Sequence, residues 1–138
     1  MMRPKSSWRG VEVRLLLDTA AFIFAMDSPE RLSRRATSTL RNSANVLELS
    51  TISLAEIAIK AALGKLQISS GTVREAVQEL DLRVLPYSAD HAFQLFDLPR
   101  HHGDPFDRQI IGQALAEGIP VVTPDEMFRL YKGLRVIW

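Results

Sequence analysis

Hydrophobic and polar positions along the chain change period repeatedly. Residues 11–27, VEVRLLLDTAAFIFAMD, start as an apolar, β-rich run, reach Asp18 and pass into a helical stretch. That order predicts a strand feeding directly into a helix. SPERLSRRATSTLRNS predicts a polar helix with Ser28 as N-cap, Pro29 at the first helical position, and Leu32, Ala36 and Leu40 on one face. NVLELSTIS reads as a second strand, and SLAEIAIKAALGKL as a helix opened by Ser53 and closed by Gly64. SSGTVREAVQEL adds a helix, RVLPY a short strand, and SADHAFQLFDL a helix capped by Ser88. DPFDRQIIGQALAEG is a helix ended by Gly118; IPVVT is a buried strand, PDEMFRLYKG a short helix and LRVIW a terminal strand.

Strands that alternate with helices build βαβ units, so the expected fold class is α/β, a three-layer α/β/α sandwich around a mainly parallel sheet. A chain of 138 residues suits one domain with one real core. That domain is expected over 11–138. Residues 1–10 carry Arg3, Lys5 and Arg9 without an acid and are expected to be a flexible basic leader outside the fold. There is no internal repeat and no low-complexity linker.

Composition narrows the chemistry further. Hydrophobic residues at 46% and charged residues at 24% belong to a globular protein, not to a disordered or fibrous one. No apolar run approaches the roughly 20 residues of a membrane span, and MMRPKSSWRG lacks the apolar region of a signal peptide. The expected location is cytoplasmic, with no membrane partner. The absence of cysteine excludes disulfides, thiol nucleophiles and thiolate metal sites. Any metal must rest on oxygen or histidine. The net charge of +1 does not by itself indicate nucleic acid, because a balanced sum can hide a polarised surface.

Ligands of an open parallel sheet lie outside the carboxyl ends of its strands, and four acids fall there. Asp18 ends the first strand, Glu56 lies in the first turn after LELSTIS, Asp107 in the first turn of its helix, and Asp125 just after IPVVT. Each also has a capping explanation, since carboxylates are favoured at helix N-termini without any function. Ser53-Leu-Ala-Glu56 matches a capping box; Asp104-Pro-Phe-Asp107 and Thr123-Pro-Asp-Glu126 resemble one. Capping accounts for Asp104 and Glu126, but it does not require Asp125 beside Thr123, nor does it select strand ends. Four converging carboxylates would repel one another unless a cation neutralised them. An oxygen-only ligand set suits Mg²⁺ or Mn²⁺ and a phosphoryl or phosphodiester substrate, with an activated water as nucleophile.

His101 and His102 are adjacent and match no metal-binding motif, so loop or interface roles are expected for them, and His91 is expected on a helix surface. Arg108, Lys60, Lys65 and Arg100 flank the expected rim and are candidates for contact with a nucleic-acid backbone. Phe22, Phe24, Phe93, Phe96 and Phe106 are expected in the core, which leaves no stacking platform for bases.

LLLDTAAFIFA, SLAEIAIKAALGKL and HHGDPFDRQIIGQALAEGIPVVTPDEMFRLYKGLRVIW, in that order, resemble the PIN-domain proteins and, among them, the VapC-type toxins of type II toxin–antitoxin modules. The resemblance runs from about Arg14 to the C-terminus. It implies an α/β/α sandwich whose acids bind Mg²⁺ or Mn²⁺ for hydrolysis of single-stranded RNA. Asp18 matches the first of those acids, Glu56 the second, Asp107 the third and Asp125 the fourth. Thr123 matches a Ser or Thr ahead of the last acid, Asp104 is a second acid in DPFD, and Pro124 stands where a small residue is common. The resemblance also implies a homodimer and a cognate antitoxin that covers the cleft. Two alternatives stand beside it: a receiver-like Mg²⁺-binding signalling domain, and a non-catalytic binding module whose acids are caps alone.

Overall fold

A computed structural model describes residues 13–138. The expected leader, and the start of the first strand at Val11 and Glu12, lie outside the described residues.

Five parallel strands, β1 (Val13–Leu17), β2 (Asn45–Ser50), β3 (Arg83–Leu85), β4 (Val121–Val122) and β5 (Val136–Ile137), form one sheet in the order β3-β2-β1-β4-β5. Six helices connect them: α1 (Thr19–Asp27), α2 (Arg34–Arg41), α3 (Thr51–Ala62), α4 (Ser70–Glu79), α5 (Ala89–Gln94) and α6 (Pro105–Glu117). The α/β class, the parallel sheet and the three layers expected from the alternation are all present.

Strand geometry explains the layering. Successive side chains point to opposite faces, so Leu15 and Leu17 enter one core with Phe22, Leu47, Leu49, Ile57 and Val73. Leu16 enters the other with Ile110, Ile111, Ala114, Phe128 and Tyr131. β1 is therefore buried on both faces, as its continuous leucine run requires. The chain departs from β1 toward β2 and β3 on one side and returns to β4 and β5 on the other. That reversal opens a crevice at the carboxyl ends of β1 and β4. A receiver-type sheet places β1 between β2 and β3; here β1 lies between β2 and β4, so the signalling alternative fails on topology.

Several helix starts differ from expectation. Ser28 precedes a 3₁₀ turn over Pro29–Arg31 without capping it through its side chain, and α2 begins only after Ser33, whose hydroxyl accepts from Ala36 N. Ser53 does not open α3. Ser50, the last residue of β2, accepts from Ile52 N and starts the helix three residues earlier, so Ser53 is buried within it and Glu56 falls in its second turn. The final helix is a 3₁₀ segment, Glu126–Leu130, capped by Asp125 and not by Thr123. Gly118 ends α6 with φ +68, a left-handed cap that glycine adopts without steric cost.

Two core assignments are also corrected. Phe93 and Phe96 stand 65% and 84% exposed and stack on each other with ring centres 6.1 Å apart, whereas Phe22 is fully buried. His91, expected on a surface, is buried: its Nδ1 accepts from Ser88 N and its Nε2 lies 2.8 Å from Glu117. Glu117 in turn bonds Arg14, which also grips the buried Glu48 of β2 together with Arg83. This ionic chain satisfies a charge inside the sheet that would otherwise be costly.

Candidate metal centre

Each of the four acids expected at the strand ends is delivered to the crevice by a different element. Asp18 follows β1 and caps α1; Glu56 projects from the second turn of α3; Asp107 occupies the third position of α6; Asp125 follows β4. Their capping roles divide them. Asp18 Oδ1 accepts from Ala21 N at 2.8 Å, and Asp125 Oδ1 accepts from Met127 N at 2.9 Å. Asp104 caps α6 by accepting from both Phe106 N and Asp107 N. Asp107 and Glu56 are different, since the carboxylate of Asp107 bonds His102 at 3.1 Å and that of Glu56 bonds Lys60 at 2.7 Å. With the capping box at Ser53 gone, the cap-only explanation covers neither of them.

The polar scaffold under the acids is closely connected. The Thr123 hydroxyl donates to Asp18 Oδ2 at 2.5 Å and accepts from Asp125 N at 3.0 Å. One buried oxygen thus ties the end of β1 to the turn after β4. Beneath them Thr19 Oγ1 donates to Ser53 Oγ at 2.9 Å, which fixes the first turn of α1 against that of α3.

Electrostatics shows the crowding. Asp18, only 3% exposed, has its carboxyl pushed up to about 7, chiefly by burial; Thr123 and Ala21 pull it back, and the charges of Asp107 and Asp125 raise it further. Burial also lifts Asp107 to about 6, helped by the charges of Asp104, Glu56 and Asp125 and opposed by His102. Glu56 is 5% exposed and its Oε1 has no hydrogen-bond partner. A buried carboxylate oxygen without a donor is costly, and crowded acids with raised pKa values lack positive charge. Both features fit a hard divalent cation held by oxygen.

Among the described residues, the group with metal-ligand spacing is His102, Asp107 and Asp125, whose ligand atoms all lie within 4.8 Å of one another. Asp18 and Glu56 are not part of that group; Asp18 accepts from Thr123 and Glu56 from Lys60. His102 is the residue that sequence reasoning missed. Its Nε2 lies 2.9 Å from Asp125 Oδ2 and 3.1 Å from Asp107 Oδ2. Its place two residues ahead of a capping aspartate was the available signal. His101 instead is exposed and sets its ring edge-on to Tyr131, 5.0 Å between centres.

Arg108 is likewise not a free cation for a phosphate. Its guanidinium donates to the carbonyls of Leu98, Pro99 and His102, stapling the loop that carries His102. Lys60, bonded to Glu56 and raised by that bond and by the nearby charges of Asp104 and Asp107, remains at the rim.

Comparison with known proteins agrees with this architecture. The family model for the PIN domain matches residues 15–134. The VapBC2 complex from Rickettsia felis bound to promoter DNA contains a similar chain, with TM-score 0.69 and 18% identity over 90% of this chain and 97% of that one. DNA-bound VapBC from Salmonella typhimurium gives TM-score 0.67 and 21% identity over 90% and 96%. VapBC-5 from Mycobacterium tuberculosis, a member of the VapBC family of toxin–antitoxin systems, gives 0.58 and 17% over 90% and 97%. No curated protein matches the chain in sequence. With the family model spanning residues 15–134, from β1 through β4, and the crevice lying where β1 and β4 end, the chain belongs to the PIN-domain family.

Proposed function

We propose that this protein is a metal-dependent endoribonuclease and the toxin of a toxin–antitoxin module. The observation that carries the reading is the gathering of two carboxylates with no capping task, the buried Glu56 and the half-buried Asp107, beside Asp18 and Asp125 at the crevice. Asp18 and Asp107 would hold Mg²⁺ or Mn²⁺, and Glu56 and Asp125 would complete its surroundings directly or through water. The chemistry that a divalent ion held by these acids would supply is a more acidic bound water and neutralisation of charge on a phosphodiester.

The chain's own groups do the rest. Thr123 orients the Asp18 carboxylate through its short hydroxyl bond. Lys60 holds Glu56 and presents an ammonium at the rim, where a phosphate of a single-stranded RNA enters. Similar chains occur in VapBC complexes, which supports a cognate antitoxin as partner. Homodimerisation is carried over with the family reading.

The test is cleavage of a single-stranded RNA by purified protein with Mg²⁺ or Mn²⁺. Asp18→Asn and Asp107→Asn should each abolish it while circular dichroism stays unchanged. Cleavage by either variant at the wild-type rate overturns the assignment. Co-purification with the product of an adjoining small gene, and loss of cleavage in that complex, tests the antitoxin.

A further inference from the structure

The hydrogen-bond partners of the His102 ring fix what its two nitrogens can do. Asp104 N donates to His102 Nδ1 at 3.1 Å. A nitrogen that accepts a backbone N–H carries no proton of its own, so the ring hydrogen sits on Nε2. That nitrogen faces Asp125 Oδ2 at 2.9 Å and Asp107 Oδ2 at 3.1 Å. A histidine that ligates a metal through Nε2 shows the opposite arrangement, with Nδ1–H donating to a carbonyl or carboxylate. The spacing of His102, Asp107 and Asp125 resembles a ligand triad; the hydrogen-bond directions contradict it.

We infer that His102 is a positioning residue, whose Nε2–H bridges the carboxylates of Asp107 and Asp125 and holds them in place for the ion without ligating it. This rests on the metal-centre reading above and names how two of its acids are held.

The surrounding loop is built for that task. Three carbonyls, of Leu98, Pro99 and His102 itself, converge on the Arg108 guanidinium, so the backbone that carries the ring is anchored to the first turn of α6. The amide that fixes the tautomer belongs to Asp104, the residue that caps the same helix. The His102 ring also stands edge-on to the fully buried Phe128, with centres 6.1 Å apart, which closes its far side. The carboxylates of Asp107 and Asp125 come from elements that share no backbone ladder, and their charges oppose each other. A shared proton between them offsets that repulsion and sets their spacing. Partners that orient metal ligands in this way change metal affinity by about 10–100-fold when removed.

Three measurements test the inference. In ¹⁵N-labelled metal-free protein, long-range ¹H–¹⁵N spectra should show His102 as the Nε2–H tautomer with Nδ1 accepting. The Nδ1–H tautomer overturns the proposal. In Mn²⁺-loaded wild type, pulsed electron paramagnetic resonance should show no directly bonded imidazole nitrogen; a strong ¹⁴N coupling lost in His102→Ala makes His102 a ligand and overturns it. Calorimetric titration with Mn²⁺ should weaken about tenfold or more in His102→Ala, and recover in His102→Gln, whose amide places a donor near Nε2. Equal affinity in His102→Ala and wild type sinks the role of His102 alone, whereas wild type that binds no Mn²⁺ sinks the metal centre with it.

Discussion

Replacing Asp18 by asparagine should stabilise the metal-free protein while removing its response to metal. Asp18 is buried, and its carboxyl is raised from 3.8 to about 7, so the folded state holds that proton more tightly than the unfolded chain does. Stability is then full below the ordinary carboxylate range and is lost as pH rises through about 7. A shift of about three pKa units at about 1.4 kcal/mol each puts the total near 4 kcal/mol, of which roughly 2–3 kcal/mol disappears between about pH 5 and about pH 8. Asparagine carries no charge, its Oδ1 still accepts from Ala21 N, and its amide can donate to the Thr123 hydroxyl. Some hydrogen-bond quality is lost, so the net gain at about pH 8 should be about 1–3 kcal/mol. Urea denaturation in chelator at both pH values measures it. Wild type should weaken toward pH 8 relative to the variant, and Mn²⁺ should restore wild type alone. A variant less stable than wild type at about pH 8, or a difference that does not depend on pH, would refute the reasoning.

Thr123→Val should cost about 1–3 kcal/mol in urea denaturation, because it strips the donor from Asp18 Oδ2 and the acceptor from Asp125 N. Arg108→Leu should release the loop over residues 98–102, read as faster amide hydrogen exchange there and a loss of about 1–2 kcal/mol. Glu48→Ala should lower stability by about 3 kcal/mol, since Arg14 and Arg83 lose a shared buried anion. Stabilisation by Mn²⁺ should persist in that variant, because Glu48 lies outside the crevice.

How far the sequence could be read depended on whether a feature was local. The leucine run of β1, the glycine after α6 and Asp104 before Pro105 carry their meaning in a few adjacent residues, and the structure agrees with them. Helix starts failed where hydroxyl residues crowd together. Ser50, Thr51 and Ser53 can all cap, and the choice is made by the ladder with β3, in which Ser50 pairs with Leu85. Phe93 and Phe96 fit a helical pattern, yet α5 is a single short helix whose buried side is taken by His91. The acids were visible as types at strand ends. Their support was not, because Thr123 reaches Asp18 across 105 positions and His102 reaches Asp125 across 23, contacts that only the folded chain creates.

The hydroxyl of Thr123 has one further effect, on timing. It and Asp125 are the last parts of the crevice to be synthesised, and Thr123, which also holds Asp125 N, must dock against Asp18 at the end of β1, which is made first. A growing polypeptide therefore carries Asp18 long before the partners that complete its surroundings. On the nuclease reading, a product terminated before Thr123 lacks both the hydroxyl that orients Asp18 and the fourth acid of the cluster.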